Sequence, residues 1–282
     1  MDMMEQIISL ALFEDSGLGD ITSESILPAS RRGTGVITAK QDCVLAGTGV
    51  AQKTFQMLDP DVDIRMLHLD GDFVQKGSVV LEVKGDLLCL LKAERVALNF
   101  LQRLSGIATL TNTYMQTLEH HRVRLTDTRK TTPGWRLLEK QAVRAGGGSN
   151  HRFSLFDGIL IKDNHIAVAG GIAAAVQAVR ERTSHLMKIE VEVSDMDQVR
   201  QALAAKADVI MLDNMSCAAM KQAVDFINGR AVVEASGNVC LETLNVIAAT
   251  GVDVISCGAL THQARAVDLS MRITPHQGVS RM

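Results

Sequence analysis

Four runs in the second half of the chain share one pattern: KIEVEVS (188–194), DVIMLDN (208–214), AVVEASG (231–237) and VDVISCG (252–258). Each is a short β-branched or apolar stretch that ends on polar residues or glycine. Between them, DMDQVRQALAAKA, CAAMKQAVDFIN and LETLNVIAAT repeat their apolar residues at helical spacing. Two earlier segments, VRLTDT and GILIKDNH, read as further strands, each followed by a helical stretch. Six strands alternating with helices predict parallel β-α units, and right-handed crossovers leave a barrel or an open doubly wound sheet. The strand ends favour the barrel. Thr128-Arg129-Lys130, Lys162-Asp163, Glu192, Asp213, Ser236 and Ser256 all fall at C-terminal ends, the rim where barrel enzymes build their sites from several strands at once. Six strands are fewer than the eight of a closed barrel, so an open or incomplete one is expected.

The first hundred residues follow a different rhythm. GTGVITAKQDCVLAG and VDIRMLHLDGDFVQKGSVVLEVKG, followed by a helix over Leu87–Leu104, predict an α+β unit with turns at Asp70-Gly71 and Lys76-Gly77. GDFVQKGSVVLEV is similar to the edge of a biotinyl or lipoyl carrier domain, yet lacks the context of a modifiable lysine at a hairpin tip. The expected organisation is an N-terminal hammerhead-like α+β domain over 1–105, joined by the tail 266–282, and an α/β barrel over 106–265.

Composition narrows the class. The chain has 282 residues, 46% hydrophobic, with a net charge of −3, as suits a globular enzyme. Aromatic residues make up only 3%, against a base-stacking surface. The five cysteines show no C-x-x-C pair, which reads as reduced thiols rather than a zinc site or a disulfide framework. Acidic residues near the start, where a signal peptide carries Lys or Arg, and the lack of an apolar run of membrane-spanning length predict a cytoplasmic protein.

Charge is not spread evenly. From Arg122 to His165 there are 9 Lys/Arg against 4 Asp/Glu, a balance of +5, which leaves −8 for the rest of the chain. Arg136, Lys140 and Arg144 sit at helical spacing and read as a solvated face. Arg129, Lys130, Arg152 and Lys162 lie at strand ends or just after Gly146-Gly147-Gly148, where loop backbone approaches ligands, and together predict a ligand with several anionic groups. Glu190 and Glu192 alternate with apolar residues and so share one strand face, the barrel interior. There they need cations: either an ion-pair network with the lysines, or Mg²⁺ held partly through water by Glu192 and Asp213. The pair His120-His121 reads as solvated, whereas His151 and His165 read equally well as structural or anion-binding. Gly237 and Gly258 offer bare amides to a phosphate. The P-loop and dinucleotide-binding fingerprints are absent from the sequence.

DTRKTTPG at Asp127–Gly134, GGGSNHR at Gly146–Arg152 and LIKDNH at Leu160–His165 resemble the quinolinate phosphoribosyltransferase family. EDSGLGDIT, ERVALNFLQRLSGIAT, EVEV, MLDNM, EASGNV and ISCGALTH match it in order over nearly the whole chain. Trp135 stands where leucine is usual and Ser154 where glycine is common. The resemblance implies phosphoribosyl transfer from phosphoribosyl pyrophosphate to quinolinate with loss of CO₂. It further implies that Arg95, Arg129, His151, Arg152 and Lys162 hold quinolinate. Thr128, Lys130, Glu192, Asp213, Ser236, Gly237, Asn238, Ser256, Cys257 and Gly258 would hold the donor and Mg²⁺. Lys130, Lys162, Glu192 and Asp213 would be catalytic, and Arg95 would be supplied across the interface of a homodimer or larger oligomer. Two alternatives are a ModD-like phosphoribosyltransferase acting on another base and a non-catalytic carrier or binding module.

Overall fold

The computed structural model describes residues 2–27 and 31–276. Helices α1 (Met3–Ser16) and α2 (Ile21–Ile26) open the chain, followed by β1 (Arg32–Ala39), β2 (Cys43–Val44), α3 (Thr48–Leu58), β3 (Asp63–Met66), β4 (Phe73–Val74) and β5 (Val79–Asp86). The long α4 (Leu87–Thr117) leads to β6 (Arg124–Thr126) and α5 (Arg136–Ala145). Then come β7 (Ile159–Ile161), α6 (Asp163–Ala169), α7 (Ile172–Arg182), β8 (Ile189–Val193), α8 (Met196–Ala204) and β9 (Val209–Asp213). The chain continues through α9 (Cys217–Ile227), β10 (Val232–Ser236), α10 (Leu241–Ala248), β11 (Val254–Ser256), α11 (Ala259–His262) and β12 (Leu269–Pro275).

Two compact units result. One draws on Met1–Asn112, Thr132–Gly147 and Ala264–Met282, the other on Thr113–Thr131 and Gly148–Gln263. The first is built on an antiparallel sheet in the order β12-β1-β5-β3, so the C-terminal tail returns as an edge strand paired with β1. Ile37, Leu81, Val83, Leu90, Ala97 and Leu101 pack together beneath that sheet.

Three features of this unit differ from the sequence expectation. Helix α4 does not stop at Leu104. Ser105 and Gly106, just past that expected end, are used for packing: Ser105 Oγ accepts the Ala46 N–H at 3.0 Å. Any Cβ at Gly106 would sit 2.0 Å from the Arg265 carbonyl oxygen, so the bare helix backbone admits the segment that leads into β12. Residues 132–147, assigned from the sequence to the barrel, belong to this unit. Trp135 stacks on Phe100 with ring centroids 4.6 Å apart, and the buried Glu139 accepts from Thr132 Oγ1 at 2.7 Å. Helix α5 is therefore not a solvated cationic face. Arg144 is exposed, but Leu138, Glu139 and Lys140 are all buried, an arc too wide for a helix lying on a surface by one stripe.

The second unit is a six-stranded parallel sheet in the order β6-β11-β10-β9-β8-β7. In chain order this is a barrel succession opened between its first two strands, β6 and β7. Only a single bridge, Thr126 to Ser149, lies along that edge of β6 among the described residues. Val191, Ile210, Leu212, Ala235 and Ile255 are fully buried, which explains the β-branched runs.

Candidate active site

A cavity of about 710 Å³ opens at the C-terminal ends of the strands, a volume suited to small-molecule ligands. All six strands contribute. Thr128, Arg129 and Lys130 follow β6, Lys162 follows β7, Glu192 lies on β8, Asp213 and Asn214 end β9, Ser236 to Val239 end β10, and Ser256 and Gly258 end β11. His151 and Arg152 line it from the loop before β7, and His262 and Gln263 from the C-terminal end of α11 and the residue after it.

The cations and carboxylates face each other. Lys162 is ion-paired with Glu192, the first about half exposed and the second largely buried. Arg152 Nη1 donates to the Gly158 carbonyl at 2.9 Å, which fixes the guanidinium. Burial and then the neighbouring Arg129 press the Arg152 pKa below its ordinary value, with Glu190 and Asp157 opposing; an arginine so placed remains a cation. Lys130 is exposed on the rim, and its amide donates to Thr128 Oγ1 at 3.0 Å.

Asp127, fully buried at the end of β6, anchors the loop that carries His151. Its carboxylate accepts from Asn150 Nδ2 at 2.7 Å and from the His151 N–H at 2.9 Å. Beyond the ring, His151 Nε2 lies 3.3 Å from Glu190 Oε2 and 3.5 Å from Glu234 Oε1. Burial on its own would lower the His151 pKa, but hydrogen bonds to Glu190 and Glu234 outweigh it and hold the value up, at about 10. Glu190 is raised, first by burial and further by Glu234, with His151 opposing. Because His151 Nδ1 accepts the Arg152 N–H at 2.8 Å, the ring proton belongs on Nε2.

At the ends of β9 and β10 the chain turns tightly. Gly237 has φ +91°, and a Cβ there would meet the Asn214 side chain at 2.2 Å. Asn214 and Asn238 also lie in the left-handed region, and Asn238 Nδ2 donates to Asn214 Oδ1 at 3.0 Å. The result is a tight polar turn on the cavity wall.

Several residues singled out in the sequence lie off this wall. Cys257 is buried and not on the wall; its N–H donates to the Thr126 carbonyl at 2.9 Å and its thiol faces the Val239 carbonyl, so its amide is unavailable to a phosphate. None of Gly146, Gly147 and Gly148 lines the cavity. At Gly146 the close neighbour is the Ala108 carbonyl, 2.3 Å from a notional Cβ, so that glycine serves chain packing. His165 is exposed off the wall, and its Nδ1 accepts the Lys162 N–H at 2.9 Å. Arg95 is exposed on α4 and is not among the lining residues. Ser154, where a glycine is common in the resembling family, donates its amide to Asp157 Oδ1 at 2.7 Å without a positive φ.

Sequence reasoning passed over Glu234, Asp127 and Asn214. Glu234 was detectable: it alternates with Ser236 on β10 as Glu190 does with Glu192 on β8, a carboxylate inside an otherwise apolar strand.

Residues 20–105 match the family model for the N-terminal domain of quinolinate phosphoribosyl transferase, and residues 107–272 match the model for its C-terminal domain. The chain belongs to the quinolinate phosphoribosyltransferase family. Among its relatives, a probable nicotinate-nucleotide pyrophosphorylase [carboxylating] of Bacillus subtilis is 44% identical over 271 residues, covering 96% of this chain and 93% of that protein. A quinolinate phosphoribosyltransferase [decarboxylating] of Nicotiana tabacum is 42% identical, covering 96% of this chain and 82% of that one. The crystal structure of NadC from Streptococcus pyogenes superposes with a TM-score of 0.93 at 41% identity, covering 97% of both chains. Membership in this family removes the carrier-module alternative.

Proposed function

We propose that this chain catalyses transfer of the phosphoribosyl group of phosphoribosyl pyrophosphate to N1 of quinolinate, with decarboxylation, in NAD biosynthesis. The carrying observation is the cavity wall: Arg129, Lys130, Arg152 and Lys162 set against Glu192 and Asp213 at the strand ends. A pyridine dicarboxylate and a donor with two phosphate-bearing ends need that many cations.

The quinolinate nitrogen attacks C1′ of the donor, and the C1′–O bond breaks with its electron pair leaving on pyrophosphate. Arg129, Arg152 and Lys162 hold the two carboxylates. Lys130, with the polar turn at Ser236, Gly237 and Asn238 and the wall at Thr128, Ser256 and Gly258, receives the donor's phosphates. Preorganised charge of this kind stabilises the departing anion and the oxocarbenium-like sugar together. Once N1 is quaternised, the C2–carboxylate bond breaks, its pair stays on C2 beside the cationic nitrogen, CO₂ departs and C2 takes up a proton.

Glu192 and Asp213 present hard oxygen donors from adjacent strands on the cavity wall, a set that fits Mg²⁺ shared with substrate phosphates. Bound there, Mg²⁺ would neutralise charge on the diphosphate.

Nicotinate lacks one carboxylate and would leave part of this cation set unmatched, at a cost of about 1–3 kcal/mol or more. Quinolinate should therefore exceed nicotinate in kcat/KM by at least about ten- to a hundredfold. Comparable turnover of both would point to another pyridine substrate.

We also propose that the enzyme works as a cytoplasmic homodimer or larger homo-oligomer in which the exposed Arg95 completes a neighbour's quinolinate site. Among the described residues, no helix is long and apolar enough to cross a membrane. Mixing inactive Arg95→Ala with inactive Lys162→Ala protein, under subunit exchange, should restore up to about half of wild-type activity per mixed dimer, one intact site of two. No recovery despite demonstrated exchange would assign Arg95 to its own subunit or to the fold.

A further inference from the structure

Beneath the cavity lie two carboxylates that do not reach its wall. Glu190 is 8% exposed and Glu234 3%, and neither lines the cavity, whereas His151 and Arg152 above them do. Glu190 Oε1 is buried without a hydrogen-bond partner, and the buried Glu234 Oε1 has the His151 ring at 3.5 Å. Two buried acids on β8 and β10, either side of β9, are a poor device for stability alone, since well-packed apolar residues serve a core at least as well. Arg152 and, next to it, Arg129 hold positive charge beside the cluster, which disfavours reading it as a cation site.

What the acids do touch is His151. Nε2 faces both, and Nδ1 accepts the backbone N–H of Arg152. Asp127 holds the His151 amide from a third side. Both ring nitrogens are thus spent inside the protein, and the ring connects the buried acids to the main chain at Arg152.

We infer that Glu234, together with Glu190, is a positioning residue that holds the His151 ring and, through it, sets Arg152 for a quinolinate carboxylate. The inference rests on the proposed function. It places Glu234 behind the acceptor half of the site only. Loss of its carboxylate should loosen quinolinate and leave the phosphoribosyl donor untouched, because a ligand-binding constellation is only as well placed as the residues behind it.

The test measures KM for both substrates, kcat and melting temperature for wild type, Glu234→Ala, Glu234→Gln, His151→Ala and the double variant Glu234→Ala/His151→Ala. Glu234→Ala should raise the quinolinate KM about tenfold, the scale of one lost hydrogen bond to a charged group, with the donor KM within about twofold. Glu234→Gln, which keeps an oxygen acceptor for Nε2–H, should recover most of that loss. On the His151→Ala background the Glu234 change should add nothing, the non-additivity expected of residues acting through one another. Equal changes in both KM values, a glutamine variant no better than alanine, or additive effects would overturn the inference. Glu234 variants that fail to fold would overturn it too, by assigning the residue to the core. Wild-type protein that does not turn over quinolinate would instead overturn the proposed function, and this inference with it.

Discussion

Replacing Lys162 with alanine should lower kcat/KM for quinolinate by about a hundredfold or more, the scale seen when one preorganised charge-stabilising donor is removed. Two effects add. The site loses a cation from the set that faces an anionic substrate, and Glu192 loses the partner that offsets its partial burial. Lys162 caps the start of α6 as an exposed-to-half-buried side chain, so the fold should tolerate its truncation and the melting temperature should move by no more than a few degrees. Lys162→Arg should not restore full activity, because a planar fork does not replace a compact ammonium at the same point. Steady-state kinetics and a thermal melt decide it. A Lys162→Ala protein within tenfold of wild type would remove this lysine from the catalytic set.

Gly106→Val should be among the most destabilising single changes in the first unit. The new Cβ would fall 2.0 Å from the Arg265 carbonyl oxygen and 2.9 Å from its carbon, both backbone atoms that cannot swing aside. That backbone is tied down. The Val267 N–H donates to the Gln102 carbonyl at 3.0 Å, and Gln102 Nε2 donates to the Leu269 carbonyl at 2.8 Å. Overpacking of this kind costs roughly 3 kcal/mol. For a chain of this size that corresponds to a fall in Tm of about 6–12 °C. Any ordinary residue gains something over glycine inside a helix, up to about 1 kcal/mol, so the sign of the change is informative. A Tm that holds or rises would mean the segment after Arg265 moves away freely.

The contrast between these two positions shows what sequence could and could not carry. The six parallel strands were legible because the central ones are buried on both faces and therefore written almost wholly in β-branched and aliphatic residues. Most of the rim was legible for a related reason: polar residues at or just past the ends of such runs, Arg129, Lys162, Asp213 and Ser236 among them, fall on the cavity wall. Features that depend on a distant partner were not legible. The continuation of α4 through Ser105-Gly106 depends on Ala46 and Arg265, which need a hydroxyl and a bare backbone there. Lys140 reads as solvated because helical spacing reveals one covered face, not two. Cys257 sits between two residues on the wall, but its amide is already claimed by Thr126. Glu234 was overlooked although its alternation with Ser236 carries the same signal as the Glu190–Glu192 pair. Arg95 carries no local signal at all: an exposed arginine on a helix looks the same whether or not another subunit needs it.

The central claim is a coupled transfer and decarboxylation, and one measurement addresses it directly. Purified protein is supplied with phosphoribosyl pyrophosphate, Mg²⁺ and quinolinate carrying label in its 2-carboxylate, and released CO₂, nicotinate mononucleotide and pyrophosphate are counted over time. The account predicts that all three appear together in equal amounts, and that omitting the phosphoribosyl donor abolishes CO₂ release, because the ring nitrogen must be quaternised before C2 can hold the electron pair. Nucleotide formation with the labelled carboxylate retained, or no nucleotide at all from quinolinate while another base is accepted, would contradict it.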